Sequence, residues 1–107
     1  MRSVSVTDFA VRLREGAQVF DTRPLAQYKR DALPGVQHLS LEGVQAGQLP
    51  ELPLDEPVYL ICERGLMSDL VGLYLEAAGY EQVYNVEGGM RAWRQAELHV
   101  GEPLDSP

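Results

Sequence analysis

One cysteine, two histidines and nine basic residues in a chain of 107 set the first limits on what this sequence can do. The single thiol, Cys62, excludes a disulfide within the chain and a cysteine-rich zinc site. It equally excludes a resolving cysteine, and with it a thioredoxin-like C-x-x-C cycle. His38 and His99 belong to no metal-like spacing and read as surface or packing residues, so neither a metal nor a cofactor is expected. Acidic residues number 16 against 9 basic ones, for a net charge of −7. Phosphate contacts need a basic surface, so nucleic acid is not an expected partner. No stretch approaches the ~20 apolar residues of a membrane span. Asp8 and Arg12 interrupt the opening MRSVSVTDFAVRL, which does not read as a secretory signal. The cytoplasm is the expected compartment. Repeats and low-complexity tracts are also missing, and the length suits a single domain over 1–107 with a loosely packed tail from 98 to 107.

What the chain does have is alternation. Short β-branched or aromatic runs, at 3–6, 17–23, 36–41, 57–62 and 82–86, read as strands. The run PVYLIC (57–62) is apolar throughout, as suits a strand covered on both faces. Helix-length segments lie between them, at 7–16, 24–30, 67–80 and 89–97, with a shorter turn or helix within 41–49. In the segment 67–80 the apolar positions Leu70, Val71, Tyr74, Leu75 and Ala78 fall three and four apart and predict the buried face. Trp93 reads as core. Gly88 and Gly89 suit a strand-to-helix turn in which a side chain would clash. The alternation predicts an α/β fold, a five-stranded parallel sheet flanked by helices on both faces.

In open sheets of that class the chemistry lies beyond the carboxyl ends of the strands. Cys62 ends the most apolar strand, and Asp21 and Arg23 end another, so all three converge on one rim. After Cys62 comes ERGLM and then a helix. A loop between a strand end and a helix start can aim several backbone N–H groups at one point, and the helix start adds a partial positive charge. The amides of Arg64, Gly65, Leu66, Met67 and Ser68 are the expected contacts for an anion there. A thiolate gains from such surroundings without a histidine base. The bland alternative is a small buried hydrophobe at a strand end. A cysteine phosphatase is excluded, since its C-x5-R loop needs an arginine six positions on, where this chain has Ser68.

Three stretches resemble the rhodanese (sulfurtransferase) family. VFDTRPLAQYKRDALPGVQHLSL is similar to the family's D-x-R segment and the turn that follows it. PVYLICERGLMS is similar to the strand and six-residue active-site loop of form C-x-x-G-x-x. GYEQVYNVEGGMRAW is similar to the closing G-G-x-x-x-W. The matches run in order over roughly residues 5 to 97. The resemblance implies that Cys62 accepts a sulfane sulfur, from thiosulfate or from a small-molecule or protein persulfide donor. The persulfide then passes its sulfur to a thiol or cyanide-like acceptor.

Arg64 is read as the cation that orients substrate, against the alternative of a solvated loop charge. Asp21 is expected to tie down loop amides, Arg23 to be a pocket cation or a rim ion pair, and Glu63 to face solvent. Asp31 and Ala32 stand where the family has Gly-His, and only local consequences are expected. With Glu63 beside Arg64 and apolar Leu66 and Met67 after it, the loop predicts thiosulfate to be a weak donor and a persulfide a better one. Two other functions fit the same residues. One is a non-catalytic binding or regulatory module on this fold, the other a redox or arsenate-handling thiol served by an external partner.

Overall fold

The computed structural model describes residues 1–98. Five strands alternate with five helices: β1 (Arg2–Val4), α1 (Val6–Arg14), β2 (Gln18–Asp21), α2 (Leu25–Asp31), β3 (Gln37–His38), α3 (Leu41–Gln45), β4 (Val58–Ile61), α4 (Leu66–Ala77), β5 (Val83–Val86) and α5 (Gly89–Gln95). The strands form one sheet in the order β1-β5-β4-β2-β3, every pair parallel. The most apolar strand is therefore the middle one.

Its side chains alternate between two cores. Tyr59 and Ile61 join Phe9 and Leu13 of α1 and Met90 and Trp93 of α5. Val58 and Leu60 join Val71 and Leu75 of α4 and Val44 of α3 on the opposite face. This double covering is why PVYLIC is apolar at every position. On the first face the rings of Phe9 and Trp93 meet edge-on with centroids 5.8 Å apart, fastening α1 to α5.

The helix starts follow local chemistry. Ser5 caps α1 by accepting from the Asp8 amide at 3.2 Å, and Ser40 caps α3 by accepting from the Gly43 amide at 2.9 Å. The α4 start has no such side-chain cap.

The buried face of α4 departs from expectation. It is Ser68, Val71, Gly72 and Leu75, while Leu70, Tyr74 and Ala78 face outward. The helix begins with its first turn docked on the loop after β4, which buries Ser68 and sets the phase of all that follows. Gly72 leaves room for the Met1 side chain, whose sulfur a Cβ there would overlap. The short segment within 41–49 is a five-residue helix. Leu98 packs against the α1/α5 core; His99 and the rest of the segment expected to pack loosely, 99–107, lie outside the described residues. No described helix is long and apolar enough to cross a membrane, and the described residues contain no cluster of metal-ligating side chains.

Candidate active site

Cys62 follows the last residue of β4 and is 3 % exposed. Its sulfur accepts from the Gly65 amide at 3.0 Å and from the Ser68 amide at 3.4 Å. These are two of the four N–H groups that the start of α4 leaves without an intrahelical acceptor. The thiol thus occupies the place that Ser5 and Ser40 occupy at α1 and α3. That is why α4 has no capping side chain of its own. The amides of Leu66 and Met67 complete the set of four; neither they nor the Arg64 amide bonds the sulfur. Positive potential at the helix start adds to the two bonds.

The loop can curl this tightly because Gly65 adopts φ +91°, a region costly for residues with a Cβ. Asn85 of β5 holds it from below, donating to the Gly65 carbonyl at 2.9 Å and to Asp69 Oδ1 at 2.8 Å. From the other side α5 grips the same loop. The Met90 amide donates to the Cys62 carbonyl at 2.8 Å and the Arg91 amide to the Glu63 carbonyl at 3.0 Å. Gly89, at φ +55°, stands so close that a Cβ there would overlap the Cys62 carbonyl oxygen. The Ser68 hydroxyl lies 3.4 Å from that of Thr22, so Ser68 offers the loop its amide alone.

A cleft of about 290 Å³ opens above the sulfur, lined by Arg23, Pro24, Gln27, Cys62, Glu63, Arg64, Leu66 and Met67. Leu66 is 72 % exposed and Met67 is 37 % exposed, so the mouth of the cleft is apolar. Arg64 is exposed and makes no ion pair among the described residues.

Arg23 is more buried, and Glu63 more engaged, than the sequence suggests. Arg23 combines the two expected roles in a buried setting: it lines the cleft wall and is ion-paired, at 2 % exposure. Its Nε and Nη2 donate to Asp21 Oδ2 at 3.1 and 2.9 Å. Its Nη1 lies 2.8 Å from Asp31 Oδ1 and 3.6 Å from Glu63 Oε1, charge against charge without hydrogen-bond alignment. Burial opposes the Arg23 charge, but Asp21 and Asp31 outweigh it and raise its pKa. Asp21 also accepts from the Arg23 amide at 2.9 Å, closing the turn after β2. Glu63 is not simply solvent-facing. Its carboxylate meets Arg94 Nη1 at 2.7 Å, and that contact, ahead of an opposing desolvation, lowers its pKa.

Asp31 reaches well beyond its own turn, contrary to the local role expected of it. Its second oxygen binds Arg94 Nη2 at 3.0 Å, across 63 residues of sequence. Desolvation pushes its carboxyl up, and Arg23 and Arg94 together more than reverse this, leaving the pKa lowered. Arg94 and Asn85 escape a reading of the sequence. An asparagine inside a β-rich run was the available signal for Asn85, since strands disfavour that residue; nothing local marks Arg94.

Comparison with known proteins agrees with this architecture. The profile described as "Rhodanese-like domain" matches residues 5–96. The chain is 33% identical over 84 residues to "Thiosulfate sulfurtransferase GlpE" of Pseudomonas putida, covering 78% of this chain and 76% of that one. It is 32% identical over 79 residues to "Putative sulfur carrier protein YrkF" of Bacillus subtilis, covering 74% of this chain but only 42% of that relative's length. A solved structure, the "Rhodanese-like Domain Protein from Staphylococcus aureus", superposes with a TM-score of 0.78 at 28% identity, covering 95% of this chain and 100% of that one. A profile match over most of the chain, with the fold and the order of its motifs, places the protein in the rhodanese-like domain family.

Proposed function

We propose that the protein is a sulfurtransferase in which Cys62 takes a sulfane sulfur from a donor and passes it to a thiophilic acceptor. The observation that carries this reading is the Cys62 sulfur seated on two amides at the start of α4, at the floor of an open cleft. A double displacement needs a nucleophile stabilised as an anion before it reacts and again once it holds the extra sulfur. The Gly65 and Ser68 amides serve the first state. The neighbouring amides of Leu66 and Met67, which lack intrahelical acceptors, are suited to the outer sulfur of the second.

In the first half-reaction the thiolate attacks the outer sulfur of the donor. A bond forms between the two sulfurs, the donor's own S–S bond breaks, and the leaving group departs with that electron pair. Thiosulfate releases sulfite, and a persulfide R–S–SH releases the thiolate R–S⁻. In the second half-reaction the acceptor attacks the outer sulfur and regenerates the Cys62 thiolate; cyanide leaves as thiocyanate. Each displacement moves an electron pair from one sulfur to the next and asks no side chain to take a proton. Sulfur carried on an unpaired thiol calls for a reducing compartment, and the cytoplasm is the one this reading adopts.

Two-substrate kinetics test the proposal. Thiocyanate formation should give parallel double-reciprocal lines as donor and cyanide are varied, and Cys62→Ala should abolish it. Intersecting lines, or turnover that survives in Cys62→Ala, would overturn the double displacement.

A further inference from the structure

Arg23 lies in the cleft wall beside the nucleophile, where a guanidinium is well placed to attract an anionic donor. Its charge is already matched. Asp21 takes Nε and Nη2, and Asp31 takes Nη1 with Glu63 behind it. Arg94 closes the ring by bridging Asp31 and Glu63 at 3.0 and 2.7 Å. Three carboxylates against two guanidinium groups leave this cluster with one net negative charge. Arg64 is then the cleft's one cation without an ion pair among the described residues, and the mouth beside it is the hydrocarbon of Leu66 and Met67. A dianion entering such a cleft meets little net attraction. A donor with a hydrocarbon stem and at most one charge on its sulfur meets apolar surface and loses less.

Within the cluster Asp31 holds a distinct position. It is the carboxylate that contacts both arginines without itself lining the cleft. We propose that Asp31 is a positioning residue that sets donor specificity: by holding Arg23 Nη1 against Arg94 it keeps the Arg23 charge out of the cleft, and so favours alkyl persulfides over the thiosulfate dianion. The inference rests on the sulfur-transfer reading above. Both donors load Cys62 by the same displacement. With thiosulfate, Cys62–S⁻ and S–SO₃²⁻ give Cys62–S–S⁻ and SO₃²⁻; with a persulfide, Cys62–S⁻ and R–S–SH give Cys62–S–SH and R–S⁻. Charge and atoms balance in each, and the difference between them lies in what the cleft must attract.

The test compares KM and kcat for thiosulfate and for cysteine persulfide, with cyanide as acceptor, in the wild type and in Asp31→Asn, Asp31→Gly and Asp31→Glu. Circular dichroism confirms that each is folded. The wild type should show the higher kcat/KM with cysteine persulfide. Asp31→Asn and Asp31→Gly should lower KM for thiosulfate roughly five- to tenfold with kcat little changed. The KM for cysteine persulfide should stay within about twofold, and the thiosulfate gain should shrink as salt is raised. Asp31→Glu, which keeps the charge, should keep the wild-type preference. An unchanged ratio of the two KM values in folded Asn and Gly variants would overturn the inference and leave sulfur transfer standing. So would a fall in kcat for both donors alike, the mark of a purely structural role. Failure of the wild type to transfer sulfur from either donor would overturn the sulfur-transfer reading, and this inference with it.

Discussion

Replacing Gly89 with alanine should damage the active-site loop from a helix whose side chains do not line the cleft. A Cβ at that position would overlap the Cys62 carbonyl oxygen and stand 2.8 Å from the Glu63 carbonyl oxygen, both backbone atoms with little freedom to yield. Relief requires α5 to move off the loop, which breaks Met90 N–H to Cys62 O and Arg91 N–H to Glu63 O. Each bond is worth about 1 kcal/mol net. The positive φ of Gly89 adds about 1–2 kcal/mol once a side chain is present. The total is about 3–4 kcal/mol, which in a domain of this size lowers the melting temperature by roughly 15–25 °C. Gly16→Ala is the matched control. It also has positive φ, but a Cβ there meets nothing within 4 Å, so it should cost only the strain, about 1–2 kcal/mol. Thermal unfolding by circular dichroism reads both variants, and donor loading of Cys62 reads the loop. A Gly89→Ala protein that melts within about 5 °C of Gly16→Ala and loads sulfur at the wild-type rate would refute the docking argument.

The same loop can be loosened from below. Asn85→Ala removes the bonds to the Gly65 carbonyl and the Asp69 carboxylate. It should cost about 1–3 kcal/mol in urea unfolding and slow sulfur loading without abolishing it; unaltered loading would show that Asn85 does not hold the loop. Acid should dismantle the ion-pair ring. The folded pKa values of Glu63 and Asp31 lie below 4.5 and 3.8, their ordinary values. The stability they contribute is therefore present above the ordinary carboxylate range and lost as pH falls through the folded values. Glu63→Gln should melt below wild type at pH 7, with the gap closing as pH falls below 4.5 and through the folded pKa; a gap independent of pH would contradict the ion-pair ring. Trp93→Ala, which empties the junction of α1 and α5, should cost about 3–5 kcal/mol by denaturant titration.

Local chemistry made much of the site legible in sequence. The strand ending at Cys62 announces itself because both its faces are covered, so no polar residue interrupts PVYLIC. Gly65 and the residues after it mark a strand-to-helix loop, and Gly88 and Gly89 mark the turn that presses on it. The phase of α4 was not legible, because apolar periodicity cannot say which of two overlapping stripes is buried. Docking of the helix start on the Cys62 loop decides it, in favour of Ser68, Val71 and Leu75 and against Leu70 and Tyr74. The ion-pair ring was hidden for a different reason. Asp31, Glu63 and Arg94 come from three separate segments, and charged residues in isolation read as solvated surface. Only the folded chain brings them to Arg23.

Sulfur transfer through Cys62 can be read from the intact mass of the protein. Wild type and Cys62→Ala are incubated separately with thiosulfate and with cysteine persulfide, then challenged with cyanide. The wild type alone should gain one sulfur, about 32 Da, which cyanide removes as thiocyanate. Folded wild-type protein that gains no sulfur from either donor, or a gain that persists in Cys62→Ala, would contradict transfer through Cys62.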